Sequence, residues 1–203
     1  MVRSFLDNQQ DPVWRMLGMP TNVSNPARPA STNISFLGYS TAADLAATAT
    51  KKGMIAAIPV SEGDVISNVS ALIGATEGKT GVKSFFVVYS GTTAKKEASL
   101  LAQSKIAEVA LKPKLILTGE LEKAVLVNSE TAPGGYLFVG LITEATTLAT
   151  QVGVNVPTPC QKSYFAKGPE VLCTEVEQEA AGEGKAKIKT ETALEKVPFY
   201  VLT

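Results

Sequence analysis

Three glutamates, Glu175, Glu177 and Glu179, and three lysines, Lys185, Lys187 and Lys189, alternate along the two flanks of the stretch EVEQEAAGEGKAKIK. A repeat of two is that of a β-strand, so each trio shares one face of its strand. Carboxylates grouped on a face are the donors a calcium ion takes, and two of them suffice for an acid and base pair. Between the flanks, Gly182 and Gly184 can adopt the positive φ of a tight reversal, which predicts a hairpin. Folding about Gly182 sets Glu179 against Lys185, Glu177 against Lys187 and Glu175 against Lys189, with Val176 opposite Ile188 on the other face. Carboxylates neutralised by ammonium groups are poor ligands and poor bases, and each exposed pair contributes about 0.2–1 kcal/mol. The stretch is therefore expected to be a solvated scaffold.

The rest of the chain offers little else that could do chemistry. Its 203 residues contain no histidine, which removes the commonest general base, the usual triad member and the commonest zinc ligand. Glycoside hydrolysis by two carboxylates needs no histidine, but nothing singles out such a pair. Cys160 and Cys173 are the only cysteines. Without a CxxC they read as two reduced thiols, a bridge being the alternative. Glu62 and Asp64 sit in a Ser-Glu-Gly-Asp turn, where facing water is favoured over calcium. Tyr39, Tyr89, Tyr136, Tyr164 and Tyr200 are candidates for stacking on sugars, although Tyr89 and Tyr136 lie inside apolar runs and read as core or interface residues. GxGxxG, P-loop, GxSxG and EF-hand patterns are absent from the sequence. No catalytic, cofactor-binding or metal-binding residue is assigned, and no cofactor is expected.

Nineteen basic and nineteen acidic residues cancel, so no overall field draws the chain to nucleic acid or to anionic lipid. The basic clusters Lys112-Pro113-Lys114 and Ala94-Lys95-Lys96 are short and lack interleaved aromatics. No nucleic-acid or membrane partner is expected. The start, MVRSFLDNQQ, has no signal-like apolar run, and no stretch reaches the ~18 apolar residues of a membrane span. The expectation is a soluble chain made in the cytoplasm.

The elements follow from composition shifts. Pro12, Pro20, Pro26 and Pro29 forbid long helices and sheet interiors in the first 33 residues, so residues 1–50 are expected to be an extended arm and linker. Phe5, Trp14, Met16, Leu17 and Met19 are too apolar for a free tail and are the candidate anchors, folding onto their own domain or docking in a groove on another subunit. Beyond them come short segments rich in Val, Ile, Phe, Tyr and Thr, bounded by Gly, Pro, Asn or Ser. They lie at 53–60, 64–76, 84–90, 98–104, 123–129, 135–142, 151–156, 162–166, 170–179, 185–190 and 197–203. This pattern predicts an all-β fold for residues 51–203, an antiparallel β-sandwich with jelly-roll-like connections. Near-continuous apolar runs at 85–89 and 136–142 predict strands buried on both faces. The segments at 123–129 and 135–142, joined by Ser-Glu-Thr-Ala-Pro-Gly-Gly, read as a central hairpin. Residues 93–111 have helical composition without a clean helical stripe, so their first half is predicted to be a strand, with one turn of helix allowed near Ile106; another short helix could start at Thr41.

The order FFVVYSG, SLLAQS, ETAPGGYLFVGLI, over Phe85–Gly91, Ser99–Ser104 and Ala132–Leu141, resembles a β-sandwich theme in minor structural proteins of tailed bacteriophages, above all those infecting actinobacteria. The chain departs from that theme after Ser104. The resemblance implies a non-enzymatic virion component, a minor tail or head-surface decoration protein docking through its arm. Its implied partners are other capsid or tail subunits and further copies of itself, a trimer among the allowed forms, with a host surface glycan as a further contact. The competing reading is a carbohydrate-binding module for a host cell-wall glycan.

Overall fold

A computed structural model describes residues 31–32, 41–47, 49–78, 82–91, 97–155, 171–178, 185–190, 192 and 194–203. The anchors Phe5, Trp14, Met16, Leu17 and Met19 lie outside the described residues, as do Tyr39, Cys160 and Tyr164. The described chain is all-β: β1 (Ser31–Thr32), β2 (Thr41–Leu45), β3 (Lys52–Pro59), β4 (Val65–Leu72), β5 (Lys83–Tyr89), β6 (Glu97–Gln103), β7 (Ile116–Leu126), β8 (Tyr136–Glu144), β9 (Gln151–Asn155), β10 (Cys173–Glu177), β11 (Lys187–Lys189), β12 (Lys196–Pro198) and β13 (Tyr200–Leu202). They form a four-stranded sheet β1-β13-β4-β7, a six-stranded sheet β10-β3-β8-β5-β6-β11 and a three-stranded sheet β12-β9-β2. Every strand pairing is antiparallel. The chain changes sheet at most connections, as in a jelly roll, and the sheets pack as a sandwich.

The central strands β3, β5 and β8 are apolar on both faces because both faces are covered. Met54, Ala56, Ile58, Phe86, Val88, Leu137, Val139 and Leu141 face the four-stranded sheet, meeting Ile66, Val69, Ala71, Leu117, Val125, Tyr200 and Leu202. Ile55, Ala57, Phe85, Val87, Tyr89, Phe138 and Ile142 form a second core on the opposite face, which also takes Val176 from β10 and Ile188 from β11. Since β10 and β11 are the two edges of the sheet, their sharing one core means that the sheet curls until it nearly closes. Gln178, one residue past β10, accordingly reaches the hydroxyl of Tyr89, three strands away.

That curl corrects the predicted hairpin of residues 175–189. Strand β10 pairs with β3, placing Glu175 opposite Met54, and β11 pairs with β6, placing Lys187 opposite Ser99. The charges find other partners: Glu175 meets Lys52 at 3.7 Å and Lys187 meets Glu97 at 3.8 Å. Val176 and Ile188 do share a core, from opposite edges of one sheet.

The predicted hairpin at 123–142 is also corrected. Strand β7 belongs to the four-stranded sheet and β8 to the six-stranded one, so the connection arches between layers. Asn128 Oδ1 accepts from the Glu130 and Thr131 amides at 2.9 Å each, and Thr131 Oγ1 donates to the Leu126 carbonyl at 2.9 Å. Gly134 and Gly135 then take φ of 102° and 75°, which favours glycine. The segments around Thr41 and Glu97 are strands, and no helix occurs among the described residues. Strand β2 lies within the 1–50 stretch, pairs with β9 and buries Leu45 in the main core.

Candidate docking surface

With the inner faces packed, the outer face of β4 and β7 holds three of the five exposed large apolar side chains among the described residues, Val65, Ile116 and Leu126, the others being Ile106 and Val109. Alternation along β4 sends Ile66, Val69 and Ala71 inward and leaves Val65, Asn68, Ser70 and Leu72 outward. On β7, Leu117, Leu121 and Val125 point in, while Ile116, Thr118, Glu120 and Leu126 point out. The register sets these side by side as Val65–Leu126, Asn68–Glu120, Ser70–Thr118 and Leu72–Ile116. Val65 is 56% exposed, Leu126 55% and Ile116 67%. The face thus carries aliphatic pairs at both ends, a hydroxyl pair bonded at 2.8 Å between Ser70 and Thr118, and a single ionised residue, Glu120, in these four rows.

Two local devices hold the face in shape. At Gly119 an added Cβ would lie 2.5 Å from the Phe86 ring and 2.9 Å from Ser104 Oγ, so glycine lets β7 approach the six-stranded sheet closely. Between Ile66 and Asn68 the register jumps: β7 runs from Val125 to Glu120 while β4 advances only two residues. Inside this excursion Leu121 turns inward and bridges Ser104 at the end of β6. The amides of Ser67 and Asn68, at the bulge, donate to the Thr203 carbonyl at 2.7 and 2.8 Å.

The chemical candidates that fall among the described residues are tied into the scaffold. Asp64 accepts a hydrogen bond from the Ser61 amide at 2.8 Å and so closes its own turn. Tyr89, Tyr136 and Tyr200 are fully buried and offer no stacking face. The Tyr136 ring meets Phe138 edge-on, with centroids 5.4 Å apart. Tyr89 takes a hydrogen bond from Gln178 Nε2, and burial pushes its hydroxyl up to about 12, an effect the Gln178 bond partly offsets. Burial likewise holds the Tyr200 hydroxyl and the Cys173 thiol well above their ordinary ranges, the nearby Glu175 charge adding to the effect on Cys173. Cys173 is a free thiol with no exposed surface. Gln178 Oε1 and Ser84 Oγ are buried polar atoms that find no protein partner.

An open groove of about 410 Å³ runs between β6 and the β7 excursion, lined by Leu100, Leu101, Gln103, Glu122 and Lys123 among others, with no aromatic ring in its lining. Among the described residues no three acids or cysteines come together as a metal site. Strands are predicted at 64–76 and 123–129, which hold β4 and the end of β7, but no strand is predicted for residues 116–122, the start of β7. The alternation of Ile116, Thr118 and Glu120 against Leu117 and Leu121 was the available clue.

No protein-family model matches the chain, and no curated protein is significantly similar to it.

Proposed function

We propose that this protein is a non-enzymatic structural subunit that works by assembly, in the specific form of a minor tail or head-surface protein of a bacteriophage virion. Its anchors are the arm residues Phe5, Trp14, Met16, Leu17 and Met19. The observation that carries the reading is the Val65–Leu126 pair: two large aliphatic side chains directly opposite one another, each more than half exposed. Burying such a side chain fully on a partner contributes about 1.5–3 kcal/mol, which is the usual reason for a surface to keep it. The fold's buried hydroxyls support the same reading, because Tyr200 and Ser104 are spent in tying strands together. A glycan-binding role would fall to Tyr39 and Tyr164, since the other three tyrosines are buried.

The test is to purify phage particles from cells expressing the chain and label them with an antibody against it. Incorporation at regular positions is expected, as are incomplete or unstable particles when the chain is withheld. Particles that never contain it would contradict the virion assignment.

A further inference from the structure

We infer that β10 is a detachable edge strand: it comes away from β3 while the rest of the sandwich stays folded, and the hydrogen bond from Gln178 to Tyr89 is the clasp that holds it down. The inference goes beyond the assembly reading and does not depend on it.

Strand β10 has a ladder on one side only, on β3, from Cys173 opposite Ala56 to Glu177 opposite Lys52. The Ala57 amide donates to the Leu172 carbonyl at 2.8 Å and the Gln178 amide to the Lys51 carbonyl at 2.6 Å, one step beyond each end of that ladder. Antiparallel pairing alternates, so the peptide groups of Leu172, Thr174, Val176 and Gln178 bond to β3, while those of Cys173, Glu175 and Glu177 point the other way, into the gap that faces β11. No ladder joins β10 to β11 among the described residues. At the first of these positions the Leu194 amide donates to the Cys173 carbonyl at 2.9 Å.

The clasp is incomplete. Gln178 is buried, its Nε2 donates to the Tyr89 hydroxyl, and its Oε1 finds no protein partner. A buried amide with one end stranded offsets much of what the hydrogen bond at its other end contributes, whereas in water both ends are satisfied. Desolvating Gln178 therefore opposes closure. What holds β10 down against it is the ladder on β3, the packing of Cys173 and Val176 in the two cores, and the Lys52–Glu175 ion pair at 3.7 Å. Strands β5 and β8, by contrast, are paired on both sides and buried along almost their whole length. Opening is thus easier at this edge than in the centre of the sheet. It uncovers the Cys173 thiol, which is 0% exposed in the closed fold, and bares the edge of β3 as a template for another strand.

Cys173 is also the reporter. In the full chain carrying Cys160→Ser it is the one remaining thiol, so the rate at which an aromatic disulfide reagent labels it measures how often β10 opens. Labelling is expected to be slow, yet roughly ten-fold or more faster than global unfolding allows, and to rise with urea far less steeply than the unfolding equilibrium does. Tyr89→Phe strands Gln178 Nε2 as well and should speed labelling about ten-fold. Gly119→Ala acts on β7, so it should lower the unfolding midpoint and leave labelling without urea unchanged. Circular dichroism verifies that each variant keeps the fold. Labelling that follows global unfolding in its rate, its urea dependence and its response to Gly119→Ala would overturn the proposal. So would a Tyr89→Phe protein that labels like its parent, or a thiol that reacts in the native protein as fast as a free cysteine.

Discussion

The phenolic oxygen of Tyr200 in β13 lies 2.8 Å from the Met54 carbonyl of β3, a hydrogen bond between two facing sheets. The same oxygen accepts from the Leu141 amide of β8 at 3.0 Å and lies 3.0 Å from Gln151 Oε1 of β9, so one hydroxyl joins all three sheets. Its position is where the β3–β8 ladder stops, beyond the last paired residues Ile55 and Gly140. The ring also meets Phe86 edge-on, at a centroid distance of 6.5 Å. Tyr200→Phe keeps the ring and strands a buried amide and carbonyl, so urea unfolding should show a loss of about 2–4 kcal/mol. A loss below half a kcal/mol, on the order of a surface substitution, would mean that the hydroxyl is not a tie.

Gly119 sets the approach of β7 to Phe86 and Ser104. A methyl there collides with a buried ring and with the Ser104 hydroxyl, which accepts from the Phe86 amide at 2.9 Å and donates to the Lys105 carbonyl at 3.0 Å. Gly119→Ala is expected to destabilise by about 1–3 kcal/mol through overpacking. Thr118→Ala, one residue away on the outer face, should cost well under that, and equal costs at the two positions would contradict the packing assigned to β7.

Strand partnership can be read from charge exchange. Lys187→Glu repels Glu97, and adding Glu97→Lys should restore the wild-type midpoint in a double-mutant cycle. The pair is exposed, so the coupling is expected to be small, about 0.2–1 kcal/mol and reduced by salt. Exchanging Glu177 with Lys187, the partners a hairpin would create, should show no coupling. Coupling there and none with Glu97 would restore the hairpin.

Alkali should unfold the protein through its buried acids. Tyr89 is raised from 10.0 to about 12 in the fold, and Tyr200 and Cys173 are raised as well, in each case chiefly by burial. Each group ionises earlier in the unfolded chain, so the stability it lends is complete below its unfolded value and drains away as pH rises toward its folded one. The slope is at most about 1.4 kcal/mol per pH unit for each group. Thermal midpoints should therefore fall as pH climbs from 9 upward, and Tyr89→Phe should flatten the fall between pH 10 and 12. A midpoint independent of pH across that window would mean that these groups are open to solvent.

Local composition carried much of this fold in legible form. Short β-branched and aromatic runs located most strands, and the continuous runs at 85–89 and 136–142 marked strands that are indeed buried on both faces. Partnership was another matter. A row of glutamates is complementary to any row of lysines, and Lys52 and Glu97 satisfy Glu175 and Lys187 as well as the hairpin would have. The arch from β7 to β8 was misread because a proline and glycine reversal is equally compatible with pairing and with a change of layer. The start of β7, residues 116–122, fell outside the predicted segments, because Gly119 and the outward Glu120 and Glu122 weaken its strand signal. Val65 and Leu126, on the docking face, lay in segments predicted as strands, at 64–76 and 123–129, but their pairing and exposure are consequences of tertiary packing.

Sedimentation velocity of the full chain over a wide concentration range, beside the Val65→Lys, Leu126→Lys double variant, tests the role of this face most directly. Reversible self-association of the wild type, abolished in a double variant that keeps its native circular dichroism, is the predicted result. A single monomeric species at every concentration, or an oligomer that the two lysines leave intact, would contradict it.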